Sequence, residues 1–191
     1  TAKFGVTVVL VYTAVALLAP VLAPYGETEI VGDSYEVWGG TYVLGTDNLG
    51  RDMLTRLIYG ARNTIGIAFL TTTLCFLLGS VTGFLAATVG GWVDQVLSRV
   101  VDVLMSIPSL IFALVLLTIF GLSIINMVLV IAVLDATRVY RLSRAVAQGI
   151  VVMDYVEAAR LRGEGLWWIM RREVLPNAMP PLVAEFGLRF V

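Results

Sequence analysis

Three long stretches of this chain carry no charged residue: Phe4 to Gly26, Asn63 to Val93, and Val103 to Leu134. Each is long enough to hold at least one helix crossing about 30 Å of hydrocarbon, which takes about 20 residues. The first predicts a helix ending near Pro20. Val6–Ala19 is longer and more uniform than most signal-peptide cores, and Pro20–Pro24 offers no clear small-x-small cleavage site, so a retained span is expected. The second run predicts one span. Its Gly66, Gly79 and Gly83 are residues that let membrane helices approach closely. The third run is too long for one comfortable helix and rather short for two.

Charge settles that ambiguity. Arg138 to Arg172 holds seven arginines against three acids, whereas Pro24 to Arg62 holds six acids against three arginines. Arginine-rich loops stay cytoplasmic. With the N-terminus inside, the acidic segment lies outside and the Gly90–Arg99 link inside. The arginine-rich segment returns inside only if Val103–Leu134 crosses twice, turning at Gly121-Leu122-Ser123-Ile124-Ile125-Asn126. The fourth helix then runs past Asp135 toward Arg138. Ser106-Ile107-Pro108-Ser109 interrupts the third, either to turn freed backbone groups toward a path or to bend the helix for packing. A fifth helix is expected from Pro176 or Asn177, with about fifteen residues before Val191, too few to cross. The chain opens on Thr1 and stops abruptly, and it reads as trimmed at one or both ends.

Composition agrees with lipid as the second apolar solvent. Of 191 residues, 59% are hydrophobic and 14% charged, and the mean hydropathy is +0.91; soluble domains average about 45–50% and about 25%. A net charge of −1 without histidine gives no basic surface for nucleic acid. The single cysteine, Cys75, excludes a disulfide framework and a thiolate metal cluster. Only Lys3 is lysine and no Gly-rich stretch precedes Lys-Ser or Lys-Thr, so no P-loop binds ATP. Metal, Cys-His and Ser-Lys chemistry lack their partners as well. No catalytic residue is assigned, and the chain is not expected to be an enzyme.

The arginine-rich segment contains a short element that cannot span. Asp154 reads as an N-cap with Glu157 at N3, like a capping box, and Gly163 as the C′ residue. The helix between is about two turns, with Tyr155, Val156 and Ala159 on one side and Arg160 and Arg162 elsewhere. The paired alanines Ala158 and Ala159 let a partner approach the backbone. Val174-Leu175-Pro176 then restarts a helix. Upstream, Gly45 and Gly50 with Asp47 and Asp52 predict tight turns and carboxylate caps ahead of a helix. Asp135 sits at membrane depth, where an acid is a functional candidate by default, yet three residues before Arg138, where it forms an inexpensive intrahelical pair.

Two patterns carry a family resemblance. Glu157-Ala158-Ala159, three residues, Gly163, ten residues, then Val174-Leu175-Pro176 resembles the EAA loop of ABC importer permeases. Leu44-Gly45-Thr46-Asp47-Asn48-Leu49-Gly50-Arg51-Asp52, followed by Leu57-Ile58-Tyr59-Gly60-Ala61-Arg62, is similar to the segment after the first helix of dipeptide, oligopeptide and nickel permeases, the second (C-type) subunit best. The resemblance runs from about Leu44 to Leu182.

It implies an all-α polytopic bundle of the type I permease fold, truncated before the last helix, in the bacterial inner membrane. Residues 1–43 would hold the first helix and external loop, and 44–191 the permease domain with its cytoplasmic loop at 138–176. The implied function is an ATP-driven import path for peptides or related solutes such as nickel chelates. Tyr155, Glu157, Ala158, Ala159, Arg160, Gly163, Leu175 and Pro176 would couple to the ATPase. Gly45, Thr46, Asp47, Gly50, Arg51 and Asp52 would form either a structural outer lid or a substrate contact. Implied partners are a sister permease, two ATP-binding subunits that hold ATP and Mg, an extracytoplasmic solute-binding protein, and membrane lipid. The alternative is an ion-coupled secondary transporter, which uses inverted repeats and mid-membrane polar residues; no internal repeat is evident.

Overall fold

A computed structural model describes residues 2–190, and the described residues are helical apart from loops and one isolated bridge. The helices are α1 (Ala2–Leu17), α2 (Ala19–Leu22), α3 (Met53–Val89), α4 (Gly91–Ser106), α5 (Ser109–Phe120), α6 (Ile124–Val151), α7 (Asp154–Leu161), α8 (Leu166–Ile169) and α9 (Leu175–Phe190). A π-helical turn, Met170–Val174, joins α8 to α9. The chain divides into two compact units at Ala68–Phe69, within α3.

In the first unit, α1 stops at Leu17 and Pro20 falls in the first turn of the short α2. That matches the expected end of the first helix. Residues from Phe4 to Tyr12 along α1 are exposed. Among the described residues, Gly66 on α3 meets nothing within 4 Å.

In the second unit, the core is where α3 crosses α6. A Cβ on Gly79 would stand 2.6 Å from the Val139 side chain and 2.7 Å from the Ala136 carbonyl. One turn on, a Cβ on Gly83 would stand 2.8 Å from the Tyr140 carbonyl. The Gly79-x-x-x-Gly83 stripe thus brings the two backbones together, the close approach that small residues permit in apolar helices. Cys75, Ala132, Ala136 and Val139 fill the contact beside it.

The turn within the third run is where the charge argument puts it. Gly121 takes φ +91°, a left-handed value that glycine tolerates. Ser123 caps α6 by accepting from the Asn126 N–H at 3.1 Å, and the Asn126 side chain donates to the Phe120 carbonyl at 2.7 Å. Leu117 of α5 packs on Val130 and Leu134 of α6. The two legs are unequal, which corrects the expectation of two full spans. α5 has only 12 residues, about 18 Å of helix. Ile107–Pro108 is the break: α4 and α5 meet there at 90°. Proline supplies no N–H to continue α4's ladder, so the chain turns.

α4 is held to α6 by ion pairs. Arg144 grips Asp94 with two N–H groups, Nη2 to Oδ2 at 2.6 Å. Arg141 reaches Asp102 at 2.7 Å. Ser98 and Tyr140 share a hydrogen bond of 2.9 Å.

Candidate functional site

α7 is an eight-residue helix with one face in the core. Val156 and Ala159 are fully buried against Phe84, Ala147, Ile150, Ile169 and Val174. The remaining positions face outward, Tyr155 being 41% and Leu161 83% exposed. Glu157, Ala158, Arg160, Arg162 and Gly163 are exposed as well. A helix this short is marginal by itself, so its seating by Val156 and Ala159 is what presents the outer face. Arg160 adds a tether by donating to the Thr88 carbonyl near the end of α3, at 3.3 Å.

Its C-terminus is closed as expected. Gly163 takes φ +82°, its N–H bonds the Arg160 carbonyl at 2.9 Å, and the Glu164 N–H bonds the Ala159 carbonyl at 3.2 Å. These are the paired bonds of a Schellman ending.

The N-terminus differs from the expected capping box. Asp154 is the first helical residue and Met153 takes the cap position, with no side-chain cap bond. Asp154 and Glu157 both still lie in the first turn, where the helix dipole favours negative charge. Two further corrections concern faces. Ala159 turns inward, so its small size lets α7 sit on its own chain, while Ala158 alone offers bare backbone outward. Tyr155 lies apart from the buried pair.

Leu175 and Pro176 do not restart a helix after a break. The helix is already wound from Leu166, and the Leu175 N–H bonds the Met170 carbonyl five residues back. Leu175 instead lines an apolar groove of about 430 Å³ with Phe76, Phe84, Trp167, Met170 and Phe186.

The outer motif, in the first unit, folds around one carboxylate. Asp47 accepts from the Leu49 N–H at 2.8 Å, the Arg51 N–H at 3.0 Å, the Arg51 Nε at 2.8 Å and the Arg56 guanidinium at 2.6 Å. Burial works against its charge, but the donors from Arg51, Arg56 and Leu49 outweigh it and hold the carboxyl well below the usual carboxylate range. Asp52 caps α3 through the Thr55 N–H at 2.7 Å, and Thr46 donates to the Asp33 carbonyl at 2.6 Å. Gly45 and Gly50 both take φ +75°. A Cβ on Gly50 would stand 2.1 Å from the Gly32 carbonyl. All six motif residues are thus tied into the turns the sequence predicts. Arg56, which sequence reasoning left out, belongs with them; its place one helical turn past Asp52 was the available signal.

Asp135 and Arg138 stand 3.7 Å apart on α6, the pairing their spacing suggested. A second pair went unnoticed: Arg189 and Glu185, one turn apart on α9, at 2.7 Å.

Comparison with known proteins gives this arrangement a context. The dipeptide transport system permease protein DppC of Haemophilus influenzae is 32% identical over 98% of this chain and 66% of its own length. The di/tripeptide transport system permease protein DppC of Pseudomonas aeruginosa is 36% identical over 97% and 64%. DppC of Escherichia coli K12 is 37% identical over 99% and 65%. The chain therefore spans just under two thirds of the length of these relatives. They bear out the resemblance to C-type permeases. Residues 79–191, more than half of the chain, match the family profile described as binding-protein-dependent transport system inner membrane component. This all-helical chain belongs to that family of inner-membrane transport components.

Proposed function

We propose that this chain is a permease subunit of an ATP-driven importer for di- and tripeptides, and that α7 is the helix through which a separate ATPase drives it. The observation that carries this reading is the two-sided construction of α7. Val156 and Ala159 anchor it to the bundle, while Tyr155, Glu157, Ala158 and Arg160 face outward. A helix so seated moves with α6 and α9, whose side chains Ile150, Val174 and Ala178 share its cluster. Closure of an ATPase around the outer face would therefore be felt in the membrane helices.

The relatives' names support peptides over nickel chelates as cargo. The working unit would comprise a sister permease, two ATP-binding subunits that hold ATP and Mg, and an extracytoplasmic solute-binding protein. α7 and the arginine-rich segment face the cytoplasm, and the Asp47 turn faces the binding protein. The Asp47 network acts as a rigid outer structure, its polar groups being committed to one another.

The test is co-purification and uptake. Glu157→Lys is expected to abolish both association with the co-expressed ATPase subunits and peptide uptake, while membrane insertion persists. Normal uptake by that variant overturns the docking role. Uptake that runs on an ion gradient without ATP would replace the importer with an ion-coupled carrier.

A further inference from the structure

Two intrahelical ion pairs of the second unit interrupt its apolar helices, Asp135–Arg138 on α6 and Glu185–Arg189 on α9. Asp135 lies twelve positions past the Ser123 cap of α6, about 18 Å along the helix, near the middle of a hydrocarbon layer of about 30 Å. Arg138 follows one turn on. From α9 come Glu185 and Arg189. Cys75 of α3 packs with Ala132 and Ala136, the residues three before and one after Asp135 on α6, and the neighbouring Phe76 meets Phe186 of α9, the residue after Glu185, so α3 bridges the two pairs.

The α9 pair occupies an unusual row. Ala178 and Leu182 are buried core residues, and Glu185 and Arg189 continue the same helical face outward. Side chains of the pair are only 28% and 22% exposed. Apolar residues in such a row would serve packing at least as well, because a buried ion pair seldom repays its desolvation. Ionisable residues inside a membrane bundle point to function by default.

The cluster is also incompletely satisfied. Arg189 donates to Glu185, yet its Nε is buried with no acceptor among the described residues, and so is the Thr73 hydroxyl. Phe69 and Phe76 of α3 meet the Phe190 and Phe186 rings of α9, which sets the α3 turn bearing Thr73 beside the α9 turn bearing Arg189. Asp135 and Arg138 stand 3.7 Å apart, with side chains 37% and 52% exposed. Unmet donors lie on one side, and an acid with a loose partner on the other. That is the complement of a zwitterion.

We propose that Asp135, Thr73 and Arg189 form a binding station for a zwitterionic solute inside the membrane. Arg189 and Thr73 receive its carboxylate and Asp135 its ammonium group. The station rests on the transport reading above and adds the ligand chemistry that passes through the bundle.

The experiment uses the complete transporter in proteoliposomes. Arg138→Cys in a Cys75→Ser background places a thiol beside the station without removing an assigned ligand. Its reaction with a charged methanethiosulfonate reagent is followed with and without dialanine in each nucleotide state. Dialanine is expected to slow the reaction on the order of tenfold in one state. N-acetyl-dialanine and dialanine amide, each lacking one charge, are expected to protect far less. Asp135→Asn should erase the advantage of the free ammonium group, and Arg189→Gln that of the free carboxylate. If Arg189→Gln fails to assemble, the half-exposed Asp135→Asn decides alone. Labelling that dialanine never slows, or protection unchanged in the variants, overturns the station. A parent transporter that moves no peptide overturns the transport reading instead, so the two failures are distinct.

Discussion

Asp94 at the start of α4 and Arg144 near the end of α6 are joined by a two-pronged ion pair, with Nη2 to Oδ2 at 2.6 Å. The hydrogen bonds and charge of Arg144 hold the Asp94 carboxyl below its ordinary value, against the effect of partial burial. A carboxylate whose folded pKa is depressed contributes stability above its unfolded pKa and loses it as pH falls through the folded one. The pair is therefore intact at neutral pH and weakens only on acidification below the usual carboxylate range. Asp94→Asn is expected to lower stability by about 1 kcal/mol, given its solvent exposure. The effect should vanish in melting curves taken well below pH 4.

The Gly79 contact leaves no room for a side chain. Gly79→Leu forces α3 and α6 apart, and overpacking of this kind costs about 1–3 kcal/mol or more. Less folded protein should be extracted in mild detergent. Gly66→Leu, at a position that meets nothing within 4 Å among the described residues, is the matched control and should leave that yield unchanged.

At Gly50 two penalties combine. Its positive φ costs any residue with a Cβ about 1–2 kcal/mol, and the Cβ would collide with the Gly32 carbonyl. Gly50→Ala is expected to open residues 30–52 to external protease while the helices stay protected. Unchanged digestion would mean that the loop does not hold the observed turns.

Asp47 neutralisation should act on the same loop. Asp47→Asn removes the acceptor shared by Arg51 and Arg56 and is expected to increase loop cleavage. The parent protein should show the same cleavage rate from pH 5 to pH 8, because the Asp47 carboxyl stays ionised throughout that window.

Ala158 and Ala159 give opposite expectations despite their adjacency. Ala159→Leu puts bulk where exposure is zero and should unseat α7, seen as faster proteolysis near Gly163. Ala158→Leu points outward and should leave α7 seated while weakening co-purification of the ATPase. Equal effects on both readouts would contradict the two-sided construction.

The contrast between those two alanines also marks how far the sequence could be read. Charge-free runs and an arginine imbalance are averages over many residues, so they located the helices and the Gly121 turn. Glycine and proline impose their conformations locally, and Gly163, Gly50 and Pro108 behave accordingly. Facing is another matter. Whether Ala159 or Ala158 points inward depends on how α7 docks on Ile150 and Val174, which are remote contacts. The cap at Met153 was decided in the same way, by packing that local preference does not encode. The Glu185–Arg189 pair was likewise out of reach, because only the fold sets that turn of α9 against α3, through Phe186 and Phe76.

The π-helical turn at Met170–Val174 has a consequence for aligning relatives of this chain. One surplus residue in that turn offsets every later position by roughly 100° relative to an uninterrupted α-helix. A relative lacking that residue would present different side chains at the places of Ala178, Leu182, Glu185 and Arg189 under gapless counting. Correspondence beyond Val174 therefore has to be drawn by helical face, and a one-residue gap there is the expected mark of a shared structure.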